Sequence, residues 1–266
     1  FFKQKTAYEI STRDWSSDVC SSDLLGSRGA LLKSPYSDRE NYSGIQLTSN
    51  QAFQMWIDRM LQIDYQLNVH AIGDRGNEIV LLGLKRVFEQ KPDHRWRIEH
   101  AQVVDPNDFH YFGDYAVFPS VQPTHAISDH DWAALRIGPK RMKGAYAYRS
   151  LYEQFGMLAL GTDFPVESIN PFLTLRAAVF RCDENNKPIQ GFMNDETLSF
   201  DIAMKGMTIW PQFASFQENK RGMLIKGMEA TFFISERALN EKSIPAENRA
   251  ISTYIKGREV YDSNKY

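Results

Sequence analysis

The chain of 266 residues has few cysteines, no excess of basic residues and no long apolar run. Its two cysteines, Cys20 and Cys182, are too few for a cysteine-rich metal site or a scaffold of several disulfides, which favours a reducing, cytoplasmic location. A formal net charge of −2 provides no basic footprint for nucleic acid. No apolar run approaches the roughly 20 residues of a membrane-spanning helix. We therefore expect neither nucleic acid nor a membrane as a partner.

Three short β-favouring runs end in a histidine or an aspartate and then break into turn residues. His70 and His100 lie 30 residues apart (100 − 70), about one strand–helix–strand unit, and Asp163 follows 63 residues later (163 − 100), about two units. Any one of them alone would more often be a structural histidine or a helix-capping aspartate. A (β/α) barrel, however, builds its site at the C-terminal ends of its strands. Their shared placement therefore predicts a hydrolytic metal centre with two imidazoles and a carboxylate.

The chain divides into three parts. Residues 1–24 show no helical or strand period and resemble the translated read-through of a sequencing adapter, so we predict a non-native or disordered leader there. Residues 25–215 alternate strand and helix patterns, with a long loop expected at 126–147. Residues 216–266 read as a small antiparallel β module with a hairpin turn at Lys256-Gly257. A composition that is 42% hydrophobic and 24% charged suits such a globular chain.

Several charged or polar residues outside the strand ends have a simpler interpretation. His94 and His110 lie in loop or helix contexts and are expected to be solvated. His130 stands between two aspartates, but consecutive side chains rarely point to one metal. The basic run at 136–143 is expected to form a solvated face or to meet a carboxylated substrate.

Five ordered blocks carry a resemblance to a known family: VHAIGDRG, RIEHAQ, PSVQPTHAISD, GAYAYRSL and GTDFPVESINP. Together they resemble the amidohydrolase superfamily, in the family 3 subgroup that includes N-substituted formamide deformylase-like enzymes. The block LGSRGA resembles the loop after the fourth barrel strand of that subgroup. The similarity covers roughly residues 25 to 261.

The resemblance implies a (β/α)₈ TIM barrel beside a β-sandwich, and one or two divalent metals, usually zinc, that activate water. The expected fold class is therefore α/β, with a partial barrel (the side of strands 5–8) and C-terminal strands of the sandwich. His70 matches the metal ligand of the fifth strand and His100 that of the sixth. Asp163 matches the eighth-strand aspartate, which contacts metal and acts as general base. His125 and Asp74 match positions of substrate contact or of support for the ligands.

The chain also departs from the family pattern. It has no His-x-His pair and no lysine just before LGSRGA, so half of the expected ligand set is missing. We expect the chain as written to be unstable and inactive alone, whereas its complete parent hydrolyses carbon–nitrogen bonds of small amides, cyclic amides or formamides. The alternatives are a metal-dependent isomerase or deacetylase-like enzyme on the same barrel, or a non-catalytic fragment or binding module. An oligomer is compatible with the sequence.

Overall fold

A computed structural model describes residues 16–20 and 24–265, which belong to two compact units. The first unit comprises the described residues up to 121 together with 128–158, and the second comprises 122–127 and the residues from 159 onward. The predicted domain boundary at residues 215–216 falls inside the second unit and stays a prediction. Among the helices of the described residues, none has the length and apolar character that crossing a membrane requires.

Strands and helices alternate through the first two thirds of the described chain. In chain order the elements are β1 (Ser16–Cys20), α1 (Asn50–Gln62), β2 (Gln66–Ala71), α2 (Asp74–Gln90), β3 (Arg97–His100), a 3₁₀ helix (Pro106–Asp108), α3 (His110–Asp114), β4 (Phe118–Val121), α4 (Pro123–Ser128), α5 (Ala133–Met142) and α6 (Tyr148–Phe155). The second unit continues with β5 (Ala159–Leu160), α7 (Pro171–Phe180), a 3₁₀ helix (Asn194–Glu196), α8 (Phe200–Met207), α9 (Ile209–Ala214), β6 (Phe232–Ser235), β7 (Ala250–Ile255) and β8 (Arg258–Asp262).

The first unit is built on a parallel sheet with the strand order β1-β2-β3-β4. Leu67, Val69 and Ile98 on its central strands are fully buried, as expected where helices cover both faces of a parallel sheet. The register places Ala71 opposite His100 at the C-terminal end of β2 and β3. Parallel pairing with helical crossovers therefore brings successive strand ends to one edge.

Strand β1 lies within the segment predicted to be a leader. Most of that segment, residues 1–15 and 21–23, lies outside the described residues. The described part, Ser16–Cys20, pairs in parallel with β2, with Cys20 opposite His70. The sequence analysis predicted no strand there because five residues are too few to establish a period. The origin of the leader stays a prediction.

Helix boundaries follow local capping chemistry. Ser49 caps α1, because its Oγ accepts the Ala52 N–H at 3.2 Å. The prediction of a long loop at 126–147 is wrong, since this range contains the whole of α5. Gly138, with φ +74°, and Pro139 interrupt α5 and hide its helical pattern from the sequence.

Helix α5 holds the loop that precedes α1. The Arg141 guanidinium donates to the carbonyls of Ser34 at 2.7 Å and Pro35 at 2.9 Å, and Arg136 pairs with Asp38. These two arginines belong to the basic run expected to be a solvated face. Their partners are about 100 residues earlier in the chain, so this part of the expectation is wrong.

The second unit ends in an antiparallel sheet with the order β6-β7-β8. The hairpin between β7 and β8 turns at Lys256-Gly257, with φ values of +53° and +77°. Two successive residues with positive φ match the type I′ turn, whose twist suits a two-residue hairpin. The predicted antiparallel strands and their turn are confirmed.

His94 is buried, contrary to the expectation that it is solvated. Its Nδ1 accepts the Trp96 N–H at 2.8 Å, so the ring proton is on Nε2, which donates to the Tyr115 carbonyl at 2.9 Å. Burial lowers the pKa of His94 below its ordinary value, although the Tyr115 carbonyl and Asp93 oppose the shift. The folded state therefore holds this imidazole neutral.

This burial predicts a loss of stability in mild acid. Below about pH 6.5 the unfolded chain takes up a proton at His94 before the folded chain does, so the free energy of unfolding falls by at most about 1.4 kcal/mol per pH unit from this group. Chemical denaturation between pH 8 and 5 measures the slope. His94→Gln is expected to flatten it, whereas His110→Gln, which alters an exposed histidine, should retain it. Equal slopes in the two variants would contradict the assignment.

Candidate functional site

Two of the predicted metal ligands meet in the first unit. His70 and His100 lie at the ends of the adjacent strands β2 and β3, and their ring centroids are 4.5 Å apart with an edge-on angle of 68°. His100 is 9% exposed and His70 is half-buried. Parallel pairing thus places two imidazoles in contact at the C-terminal edge of the sheet.

The backbone turns out of the sheet at the second of these histidines. His100 has φ +77° and Ala101 has φ +42°, values that non-glycine residues rarely adopt. Such strain costs on the order of 1–3 kcal/mol per residue and persists only where the surroundings over-determine the conformation. Here the Val103 N–H bonds the Ile72 carbonyl at 2.8 Å, and the Tyr146 N–H bonds the Gln102 carbonyl at 2.7 Å. The direction in which His100 leaves the sheet is therefore set by neighbouring loops.

A buried amide that the sequence analysis missed joins the ends of β2 and β3. The Asn77 Nδ2 donates to the carbonyls of Ala71 at 3.2 Å, Gly73 at 3.0 Å and Val103 at 3.0 Å, and Asn77 is fully buried. The sequence contained a signal for this buried amide. Asn77 lies on the apolar stripe of α2 together with Val80, three residues further along the chain. A polar residue on a buried stripe indicates a partner outside the helix.

Asp74, a predicted support or substrate contact, faces the backbone of the preceding loop. Its carboxylate accepts the N–H groups of Lys33 at 2.8 Å and Arg75 at 2.9 Å. Burial raises the pKa of Asp74, and the two backbone N–H bonds oppose this only in part. The loop approaches so closely that a Cβ on Gly73 would lie 2.1 Å from the Leu31 carbonyl oxygen. In the first unit Asp74 thus binds the backbone of the loop that contains Lys33.

The Lys33 side chain also stabilises the position of this loop. Its Nζ lies 2.6 Å from Asp108, 3.0 Å from Glu78 and 3.1 Å from Asp105. Burial works to lower the pKa of Lys33, but the hydrogen bonds with these three carboxylates outweigh it and hold the pKa above its ordinary value. Lys33 therefore stays charged and links its loop to α2 and the 3₁₀ helix.

The second unit contains another histidine between two carboxylates. His125 Nε2 lies 3.2 Å from Asp163 Oδ2, and its Nδ1 lies 3.2 Å from Glu167 Oε1. Asp163 has φ +56°, and its carbonyl accepts the Val166 N–H at 2.8 Å. The structure therefore brings the predicted residues His125 and Asp163 together. Sequence reasoning missed Glu167, although it lies in the same block four residues after Asp163.

The comparison with known proteins identifies the family. The sequence profile of the amidohydrolase family matches residues 14–261. The chain belongs to the amidohydrolase family. It is 33% identical over 241 residues to the protein LONG AFTER FAR-RED 3 of Arabidopsis thaliana, covering 89% of this chain and 41% of that protein. It is 30% identical over 210 residues to the putative amidohydrolase YtcJ of Bacillus subtilis strain 168, covering 79% and 40%.

Solved structures give the same result for the fold of this amidohydrolase-family chain. An uncharacterized metal-dependent hydrolase from Pyrococcus furiosus superposes with a TM-score of 0.70 at 29% identity, covering 81% of this chain and 43% of that one. One from Pyrococcus horikoshii superposes with a TM-score of 0.71 at 30% identity, covering 80% and 42%. The predicted family and the α/β class with a partial barrel are confirmed. The chain spans about two fifths of the length of these relatives.

Next to the β3 end, the amidohydrolase chain holds Asp129 in a network of its own. The Asp129 carboxylate accepts the Gln102 Nε2–H at 2.9 Å and the Tyr146 hydroxyl at 2.7 Å. Burial raises the pKa of Tyr146 well above its ordinary value, so the hydroxyl remains a donor. His130 faces the other neighbouring carboxylate, Asp131, at 3.1 Å. This network fixes the segment after His100 against the start of α6.

Replacing Asn77 by Ala is expected to destabilise the first unit. The carbonyls of Ala71 and Val103 lose the side-chain donor, whereas Gly73 keeps its bond from the backbone N–H of residue 77, and a buried acceptor without a partner costs about 1–3 kcal/mol. Urea denaturation of Asn77→Ala measures the loss. Gln90→Ala, at the exposed end of the same helix, should change stability by less than about 0.5 kcal/mol. A cost at Asn77 no larger than at Gln90 would contradict the role of the amide.

Proposed function

We propose that this chain is part of a metal-dependent hydrolase that cleaves carbon–nitrogen bonds other than peptide bonds, in small amides, cyclic amides or formamides. The observation that carries the proposal is the contact between His70 and His100 at neighbouring strand ends of an amidohydrolase-family chain. Parallel α/β barrels place their chemistry at that end of the strands. We further propose a cytoplasmic location, favoured by the two cysteines in the sequence.

The residues present fit a divalent metal. Neutral imidazole nitrogens are borderline ligands that suit zinc, and zinc also binds carboxylate oxygen; we assign these donors to His70, His100 and Asp163. His70 and His100 are in ring contact, so both imidazoles would lie next to a single bound ion. A bound ion would lower the pKa of a water ligand toward about 7, and so supply hydroxide at neutral pH.

The chain's own residues then move the protons. The Asp163 carboxylate is placed to accept a proton from water and to pass it to the departing amine. His125 holds Asp163 Oδ2 at 3.2 Å, and Glu167 holds the opposite nitrogen of the same ring at 3.2 Å. This chain of contacts restricts the rotation of the carboxylate, and a fixed orientation favours proton transfer. Asp163 is therefore proposed as the general base and His125 as its positioning residue.

Two alternative functions have support of different kinds. A metal-dependent isomerase or a deacetylase-like enzyme could use the same donors, because a fold does not determine a reaction. A non-catalytic binding module is favoured by one observation: no two of the six histidines lie within two residues of each other, so the family's His-x-His pair is missing from this sequence. A measurement of metal binding distinguishes these alternatives. Either enzyme should bind a metal, whereas a non-catalytic binding module should not.

Metal content is the test of the proposed site. The purified chain, stripped with a chelator and incubated with zinc, is expected to retain zinc in equilibrium dialysis followed by elemental analysis. His70→Ala and His100→Ala should each weaken retention at least tenfold, because each removes one nitrogen ligand. His110→Ala alters a half-exposed histidine on α3 and should retain wild-type zinc. Zinc uptake that is equal in all four proteins would refute the site.

Hydrolysis by the chain itself is a separate prediction. We expect turnover of a panel of formamides and cyclic amides to be at the buffer level, because the ligand set lacks the His-x-His pair. The measurement is amine release with and without added zinc. Turnover that disappears in Asp163→Asn but persists in Asp195→Asn, at an exposed aspartate, would disprove the predicted inactivity and support the hydrolase assignment.

A further inference from the structure

The second unit contains a cavity that has no part in the chemistry proposed above. Its volume is about 480 Å³, and it is open to solvent. One wall is formed by α7 and the turn that follows, and the other by residues 237–247, which precede β7. The charged side chains at this cavity are Arg176, Glu184, Arg237, Lys242 and Glu247.

Arg176 is the unusual member of this lining. It is only 8% exposed, and its guanidinium donates to the carbonyls of Asp183 at 2.8 Å and Ile244 at 3.0 Å, to the Asn186 amide oxygen, and to the Cys182 sulfur at 3.5 Å. All of these acceptors are neutral. Among the described residues no carboxylate forms an ion pair with Arg176. A buried charge is normally paired with an opposite charge, and Arg176 has only a coulombic attraction to the exposed Glu247 carboxylate without an ion pair, so it can still attract an anion.

The other charged side chains at the cavity determine which anions it could bind. Lys242 is exposed at the opposite wall and forms no ion pair among the described residues, so its ammonium is available. Glu247 is already paired with Arg237. Glu184 is exposed and adds one negative charge. The lining therefore has three cations and two carboxylates, with the two unpaired cations on facing walls.

The guanidinium is also immobile. Four acceptors hold it, so binding an anion would cost little side-chain entropy. Four of the five guanidinium N–H groups are engaged by these acceptors, so one N–H group and the positive charge remain to attract an oxyanion. The volume of the cavity exceeds that of a single ion and admits a small organic molecule.

We propose that this cavity binds a small molecule bearing an oxyanion, a carboxylate or a phosphate, whose charge pairs with Arg176 and Lys242. Glu184 and Glu247 weaken the site by repulsion and restrict it to ligands of low negative charge. The site lies in the second unit by itself, and it requires neither a metal nor the proposed hydrolase activity.

Calorimetric titration of the whole chain with sodium phosphate and with sodium malonate, at an ionic strength held constant with sodium chloride, tests the proposal. At least one of the two anions is expected to bind saturably, and which one binds distinguishes a phosphate from a carboxylate ligand. Lys242→Ala should weaken that binding about tenfold or more. Lys226→Ala, which removes an exposed lysine of the same unit, should leave it unchanged.

Two further variants separate binding from folding. Glu247→Gln is expected to tighten binding severalfold, because it removes a repulsive carboxylate and releases Arg237, and loss of folding cannot produce such a gain. Arg176→Lys keeps the charge but loses the planar donors and should weaken binding, with circular dichroism confirming the fold. Absence of saturable binding by both anions in the wild-type chain would overturn the proposal. So would an unchanged affinity in both Lys242→Ala and Glu247→Gln.

Discussion

The geometry of the first unit depends on the hydrogen bonds that join the C-terminal ends of β2 and β3. Parallel strands bring successive ends to one edge, but the chain beyond each end must still find partners for its polar groups. The Asn77 amide supplies them for the ends of both strands, and the Val103 N–H to Ile72 carbonyl bond adds another direct link. With these links in place, His70 and His100 stay in ring contact, and the unfavourable φ of His100 is tolerated.

Charged side chains have a second structural role, which is to hold the loop before α1. Lys33 contacts three carboxylates, while Arg136 and Arg141 reach the same loop from α5. A single exposed ion pair contributes about 0–1 kcal/mol to the free energy of unfolding. A part-buried lysine that contacts three carboxylates also restricts its own backbone to one position. Asp74 belongs to this set, because it accepts the Lys33 N–H. Residues beside the candidate metal ligands thus act through the loops that they position.

The second unit contains charged or titratable side chains in two different environments. His125 lies between the carboxylates of Asp163 and Glu167, and each of its ring nitrogens contacts one of them. Arg176, by contrast, is buried among neutral acceptors and cannot lose its charge. The first arrangement suits proton transfer, whereas the second suits recognition of an anion. The same unit therefore contains two chemically different arrangements of charged side chains.

The sequence by itself determined the family, the α/β class, the β7–β8 hairpin and the histidines at the ends of β2 and β3. The family follows from the resemblance of five whole sequence blocks, and the other features follow from local patterns and spacing, because strand runs, turn residues and unit lengths are all read along the chain. Only the tertiary structure decided the roles of Asn77, His94, Arg141 and Arg176. Each depends on partners that the chain folds against it, such as Val103 for Asn77 and Ser34 for Arg141, 26 and 107 residues away. Burial and hydrogen-bond partners at such separations leave little trace in local periodicity, so a buried polar side chain and a solvated one look alike in the sequence.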